Sequence, residues 1–219
     1  MTHPKPAFVG LDIETTGMDP DTRQIIELGI VVFDQQLNPI PGAVRSWRIG
    51  SSPNQSLNFE NMDVYDMHLE TGLLKELIGN TDTVGLVEGE AVSFLESFEA
   101  TGLPMLGSSI TFDRRFLARH MPALLDAFHY RSLDATSVML AQTIRGIEVE
   151  HDSELQDRIS TLRDEMAENL EDEHPMIKHR VIYDVLHSAA TAAVLSSPRQ
   201  DTTEDTHTCP CRDCTTADK

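Results

Sequence analysis

Val9-Gly10-Leu11-Asp12-Ile13-Glu14-Thr15-Thr16-Gly17 is the stretch on which the reading of this chain turns. Its opening residues are apolar and read as a strand, which the turn formers Thr16, Gly17, Asp19 and Pro20 then end. Asp12 and Glu14 stand two apart inside it, and a strand period of two puts both carboxylates on one face. Strand interiors disfavour acids, and like charges side by side repel. Taken alone, the pair fits either a solvent-facing edge strand or a site for a hard divalent cation, which prefers oxygen ligands.

Outward from this strand, residues 25–33 are rich in branched side chains with Glu27 among them, 34–41 carry turn signals, and 44–49 can form another strand. Three strands joined by short loops favour an antiparallel meander. Residues 87–100 have apolar positions at helical spacing (Val87, Ala91, Phe94, Leu95, Phe98), followed by Gly102 and Pro104. A fourth strand is expected at 105–110, a helix at 113–120, a turn at Pro122 and a short fifth strand at 131–133. Between 153 and 170, Leu155, Ile159, Leu162, Met166 and Leu170 make a narrow apolar stripe. Across 148–173, eleven acids face only Arg158 and Arg163, the pattern of a surface helix with a solvated face. A closing helix is expected at 181–195, before Pro198. The expected fold is α/β, a central mixed five-stranded sheet flanked by helices, with one domain over 1–198 and a disordered tail over 199–219.

Composition narrows the function. A chain of 219 residues can bury a core without disulfides or a structural metal. Its 36 acidic and 17 basic residues give a formal charge of −19, which excludes a protein that holds long nucleic acid by a basic surface. An enzyme that grips a few phosphates through metal ions is not excluded. No run of eighteen apolar residues offers a membrane span, and residues 1–6 lack the apolar core of a secretory signal. Cys209, Cys211 and Cys214 are the three cysteines, which fits a reducing cytoplasm. With His207 they have the ligand types of zinc, but the spacing is tight and a flexible tail is the expected reading.

Three further residues bear on the acidic pair. Asp113 opens a helix, where an isolated aspartate reads as an N-cap. Asp184 lies on the closing helix, five residues after His179. At about 100° per residue those two would point roughly 140° apart on one helix, so His179 can join Asp184 only from the turn before it. Pro175 makes that late start plausible. Four acids on three separate segments plus a histidine can hold two Mg²⁺ or Mn²⁺ ions about 4 Å apart for in-line displacement at phosphorus. The histidine, with a free pKa of about 6.5, can take a proton from the attacking water.

The opening stretch, Ser109-Ile110-Thr111-Phe112-Asp113-Arg114-Arg115-Phe116-Leu117 and His179-Arg180-Val181-Ile182-Tyr183-Asp184 resemble the three exonuclease motifs of the DEDDh group. Within it the chain is most similar to the oligoribonucleases, through Met67-His68-Leu69-Glu70-Thr71-Gly72-Leu73, His120-Met121-Pro122 and Phe128-His129-Tyr130-Arg131-Ser132-Leu133-Asp134. The resemblance implies an RNase H-like fold and a cytoplasmic 3′→5′ exonuclease that uses Mg²⁺ or Mn²⁺ to degrade short single-stranded RNA to nucleoside 5′-monophosphates. It implies Asp12, Glu14, Asp113 and Asp184 as metal ligands and His179 as general base. Met18 matches a residue that wedges against the terminal base, and Ser109, Tyr130, Arg131, Thr136 and His68 match positions around the substrate's phosphate end. It also implies a homodimer in which Tyr130 reaches the partner's site. Asp134 reads as structural. The chain departs from the family pattern at Thr15 (usually methionine), Asp63 (where a tryptophan is expected), Met139 (usually lysine) and in the acidic helix of 148–173, which reads as an insertion. Thr15 and Asp63 keep open an exonuclease of the same chemistry acting on DNA or longer single strands; a non-catalytic nucleic-acid-binding module on this fold is the remaining reading.

Overall fold

The computed structural model describes residues 4–50, 56–171 and 173–197. Strands β1 (Phe8–Thr15), β2 (Ile25–Phe33) and β3 (Pro39–Arg48) form the expected antiparallel meander. On the other side of β1, β4 (Pro104–Gly107) and β5 (His129–Asp134) add in parallel, so the sheet is mixed, in the order β3-β2-β1-β4-β5. The helices are α1 (Met62–Glu70), α2 (Leu73–Leu77), α3 (Val84–Ser97), α4 (Thr111–His120), α5 (Pro122–Asp126), α6 (Ala135–Ile144), α7 (Ser153–Glu168) and α8 (Val181–Ser196), with a 3₁₀ turn at Val149–His151. None is long and apolar enough to cross a membrane. The expected tail at 199–219, with its three cysteines, lies outside the described residues.

The alternation of β1 divides the molecule. Val9, Leu11 and Ile13 point into one core, together with Leu28, Ile30 and Val32 of β2 and the inner faces of α3, α4 and α5. Gly10, Asp12 and Glu14 occupy the opposite face, where α8 packs. A Cβ on Gly10 would meet Val185 Cγ1 at 2.5 Å, and one on Gly29 would meet Val181 Cβ at 2.6 Å. The two missing side chains therefore let α8 lie directly on β1 and β2, bringing Asp184 down beside the acidic pair.

The second core joins Val31, Phe33 and Leu106 of the sheet to α8 and to Leu155, Ile159 and Met166 of α7. The apolar stripe of the acidic helix is thus a buried face, and α7 belongs to this layer although its remaining sides are solvated. Asp152 caps α7 by accepting from the Leu155 amide at 3.2 Å.

Candidate active site

β1 and β4 run parallel, with β1 continuing past the end of β4, and ligand crevices in such sheets open beyond the carboxyl ends of the strands. A cavity of about 370 Å³ lies there. Asp12, Glu14, Asp113, His179 and Asp184 all line it, joined by Met18 and Ser109. Five side chains distant along the chain thus share one pocket.

Each is placed by its own local structure. Glu14 sits at the irregular end of the β1–β2 ladder, opposite Glu27. Asp113 is 3% exposed and lies in the first turn of α4, which begins at Thr111. It is not the N-cap its isolated position implied, because Asp134 ties down the preceding chain and starts the helix early: its carboxylate accepts from the Ser109 and Ile110 amides at 3.2 and 3.1 Å and also caps α6 through the Ser137 amide. Asp134 therefore has the structural role read from the sequence. His179 precedes α8 in a turn, at the left-handed φ of 64°, as the angular argument required. The His179 backbone amide opposes the rise in the Asp184 pKa. Ligand atoms of Glu14, His179 and Asp184 all lie within 4.8 Å of one another.

The electrostatics fit a cation. Burial, then the charges of Asp113, Glu14 and Asp184, push Asp12 well above the ordinary carboxylate range, and burial with Asp184 and Glu27 does the same to Glu14. Burial pushes Asp113 up to about 8, opposed by its own backbone amide and that of Ile13, and Asp184 up to about 6. A cluster of buried oxygens that repel one another is a donor set suited to hard divalent ions. Burial and Lys178 lower His179, leaving it neutral and able to accept a proton near neutral pH.

These shifts carry a sign. Asp113 and Asp184 bind a proton more tightly folded than unfolded, where their pKa is 3.8. Their protonated forms add stability that is complete below about pH 4 and lost as pH rises through about 6 and then about 8. The metal-free protein is therefore expected to melt at progressively lower temperature between pH 5 and pH 8, and excess Mg²⁺ or Mn²⁺ to flatten that slope. Thermal melts with and without chelator check this; a metal-free Tm that rises over the window contradicts it.

The remaining expected substrate residues divide. Met18 is 64% exposed on the cavity rim, its loop held by Glu60, which accepts from the Met18 amide at 2.7 Å. Ser109 has a left-handed φ of 53° and donates through its amide to Thr136 Oγ1 at 3.1 Å; Thr136 itself lines a neighbouring cavity. Tyr130 is 74% exposed on β5 with the Arg131 guanidinium 5.4 Å from its ring centroid, and neither lines the acidic cavity. His68 is fully buried behind Glu14: its Nε2–H donates to the Thr15 carbonyl at 2.9 Å, with Nδ1 4.0 Å from Glu14 Oε2. It supports the strand end and does not line the cavity. Trp47 is buried and bonded to Glu90, so it offers no face to a base.

Four residues of the site's support, Arg180, Arg48, Glu27 and Glu76, escaped the sequence reading. Arg180, next to His179, is buried and forks onto Glu27 (2.8 and 3.0 Å) and Glu76 (2.9 Å twice). Arg48 bridges the same two acids at 3.7 and 2.6 Å. The signal for Glu27 was present, an acid inside nine consecutive buried strand residues, but its partners lie far along the chain.

No family model matches the chain. The oligoribonuclease of Nitrosomonas europaea is 38% identical over 134 residues, covering 60% of this chain and 72% of that one. The oligoribonuclease of Alkalilimnicola ehrlichii is 38% identical over 135 residues (61% and 68%), and that of Haemophilus influenzae 34% over 140 residues (63% and 75%). Among solved structures, E. coli exonuclease I bound to a dA13 oligonucleotide superposes with a TM-score of 0.55 at 18% identity, covering 87% of this chain but only 40% of that one. The RNase domain of yeast Pop2 gives 0.57 at 13% identity, with 88% and 77% covered. At those identities the structural likeness establishes the fold, which is the exonuclease fold expected from the motifs.

Proposed function

Because the chain belongs to the oligoribonuclease family, we propose that it is a divalent-metal-dependent 3′→5′ exonuclease hydrolysing short oligoribonucleotides to nucleoside 5′-monophosphates. The observation that carries this reading is the convergence of four carboxylates and a neutral histidine on one cavity at the ends of β1 and β4. Asp12, Glu14, Asp113 and Asp184 would hold two Mg²⁺ or Mn²⁺ ions. Bound there, the ions would neutralise the acids and polarise the scissile phosphate. His179 takes the proton of the attacking water as its oxygen bonds phosphorus, and the bond to the 3′-oxygen of the shortened strand breaks, with that oxygen gaining a proton. No covalent enzyme intermediate is needed.

In this reading Met18, on the cavity rim, meets the terminal base, and Ser109 with Thr136 the phosphate end of a short strand; the bond of the Ser109 amide to Thr136 supports pairing the last two. Tyr130 stands clear of its own chain's cavity, which supports a homodimer in which it serves the partner's site. Short strands suit a protein of charge −19, since a few local contacts replace a basic groove. A second reading, action on DNA or longer single strands, is favoured by the absence of an aromatic residue at Asp63, because base stacking contributes about 1–3 kcal/mol per base.

Product analysis on 5′-labelled RNA and DNA of two, five and twenty nucleotides, with Mg²⁺ or Mn²⁺, separates them. The expected result is fastest turnover of the shortest RNA, release of 5′-monophosphates and complete loss with chelator. Preference for twenty-nucleotide DNA would establish the second reading.

A further inference from the structure

His187 is a second histidine on the cavity wall, one residue short of a full helical turn beyond Asp184 on α8, and the chemistry above does not use it. Its ring lies parallel to that of Tyr183, with centroids 6.2 Å and planes 9° apart. Tyr183 is clamped in turn by α7: Arg163 Nη1 donates to the phenol oxygen at 2.7 Å, and the guanidinium carbon lies 4.6 Å from the ring centroid. A cation, a phenol and an imidazole thus form a column from the acidic helix to the cavity. Neither imidazole nitrogen makes a hydrogen bond to a described residue, and Nδ1 is closed off from solvent without a partner. Buried polar groups normally have partners, and a ring held this firmly, with Nδ1 closed off, has Nε2 left to serve whatever enters the cavity it lines.

Resting on the exonuclease reading, we propose that His187 Nε2 hydrogen-bonds a ribose 2′-hydroxyl of the bound strand and so sets a preference for RNA over DNA. The placement fits. Asp184 belongs to the set that brackets the scissile phosphate, and less than one turn along α8, about 5 Å, is comparable to the reach from a phosphate to an adjoining ribose. The chemistry fits as well. Burial, with Arg163 and Lys178 nearby, holds the imidazole in its neutral form, and a neutral ring suits a hydroxyl better than a phosphate oxygen, which favours a cationic partner. The proposal also gives α7 a task, since Arg163 fixes the stack that orients His187.

The test compares His187→Phe, which keeps the stack on Tyr183 but removes both nitrogens, with His187→Gln, whose amide reaches the Nε2 position. The readouts are kcat/KM on an RNA dinucleotide and its deoxy counterpart with Mg²⁺, and equilibrium binding of both with Ca²⁺. The RNA-to-DNA ratio is expected to fall about 5- to 10-fold in the Phe variant, the worth of one hydrogen bond, with DNA rates unchanged and the Gln variant retaining most of the preference. An equal loss on both dinucleotides, or an unchanged ratio, overturns the proposal and leaves the exonuclease reading standing. If the unaltered protein hydrolyses neither dinucleotide, that reading fails instead, and the binding ratios still decide the role of His187.

Discussion

Changing His179 to alanine is expected to lower kcat on an RNA dinucleotide by about 10²–10⁴-fold, the usual worth of a positioned general base. The side chain is neutral because burial and Lys178 oppose its protonation, so it is already in the form that accepts a proton. Its place depends on a left-handed turn just before α8. KM should change little, since a base acts on the water in the transition state and not on the bound strand. Asp184→Asn should abolish turnover as well, through loss of a charged ligand, and unlike His179→Ala should weaken metal binding. Circular dichroism and thermal melts establish that both variants fold. A near-normal rate in either would overturn the assignment.

The second large effect is on stability. Arg180→Met is expected to cost about 3–5 kcal/mol in urea denaturation, because it leaves Glu27 buried without its closest countercharge. Burial alone would lower the Arg180 pKa, but its bonds to Glu27 and Glu76 outweigh this and hold the group charged. The same guanidinium also opposes the rise in the Glu14 pKa, so its loss adds one more uncompensated repulsion to the acidic cluster. Pairing the change with Glu27→Gln removes the stranded charge and should recover part of the loss. A double variant less stable than Arg180→Met would show that the pair acts through packing instead.

Much of the fold and most of the site were legible in the sequence, for identifiable reasons. The meander showed because β2 is branched and buried throughout and its turns carry proline and glycine. The opposed faces of β1 showed in a strict alternation of period two. The position of His179 followed from helix geometry alone. The elements that escaped were those lacking a periodic signal. α5 spans five residues, and α6 exposes Leu140 and Ile144, so its apolar positions trace no single buried stripe. The burial of His68 and Arg180 was not legible because it is set by tertiary neighbours. Arg180 and Glu27 are 153 residues apart, a separation over which local pattern carries no information.

The glycines beneath α8 bear on how the chain comes to life. During synthesis β1 and its two acids emerge early, Asp113 midway, and His179 with Asp184 only near the end of the described residues. Until that closing helix settles onto Gly10 and Gly29, the face of the sheet it covers is bare and the acidic cavity lacks Asp184 and His179. Assembly of the acidic cavity and completion of the second core are therefore a single late event.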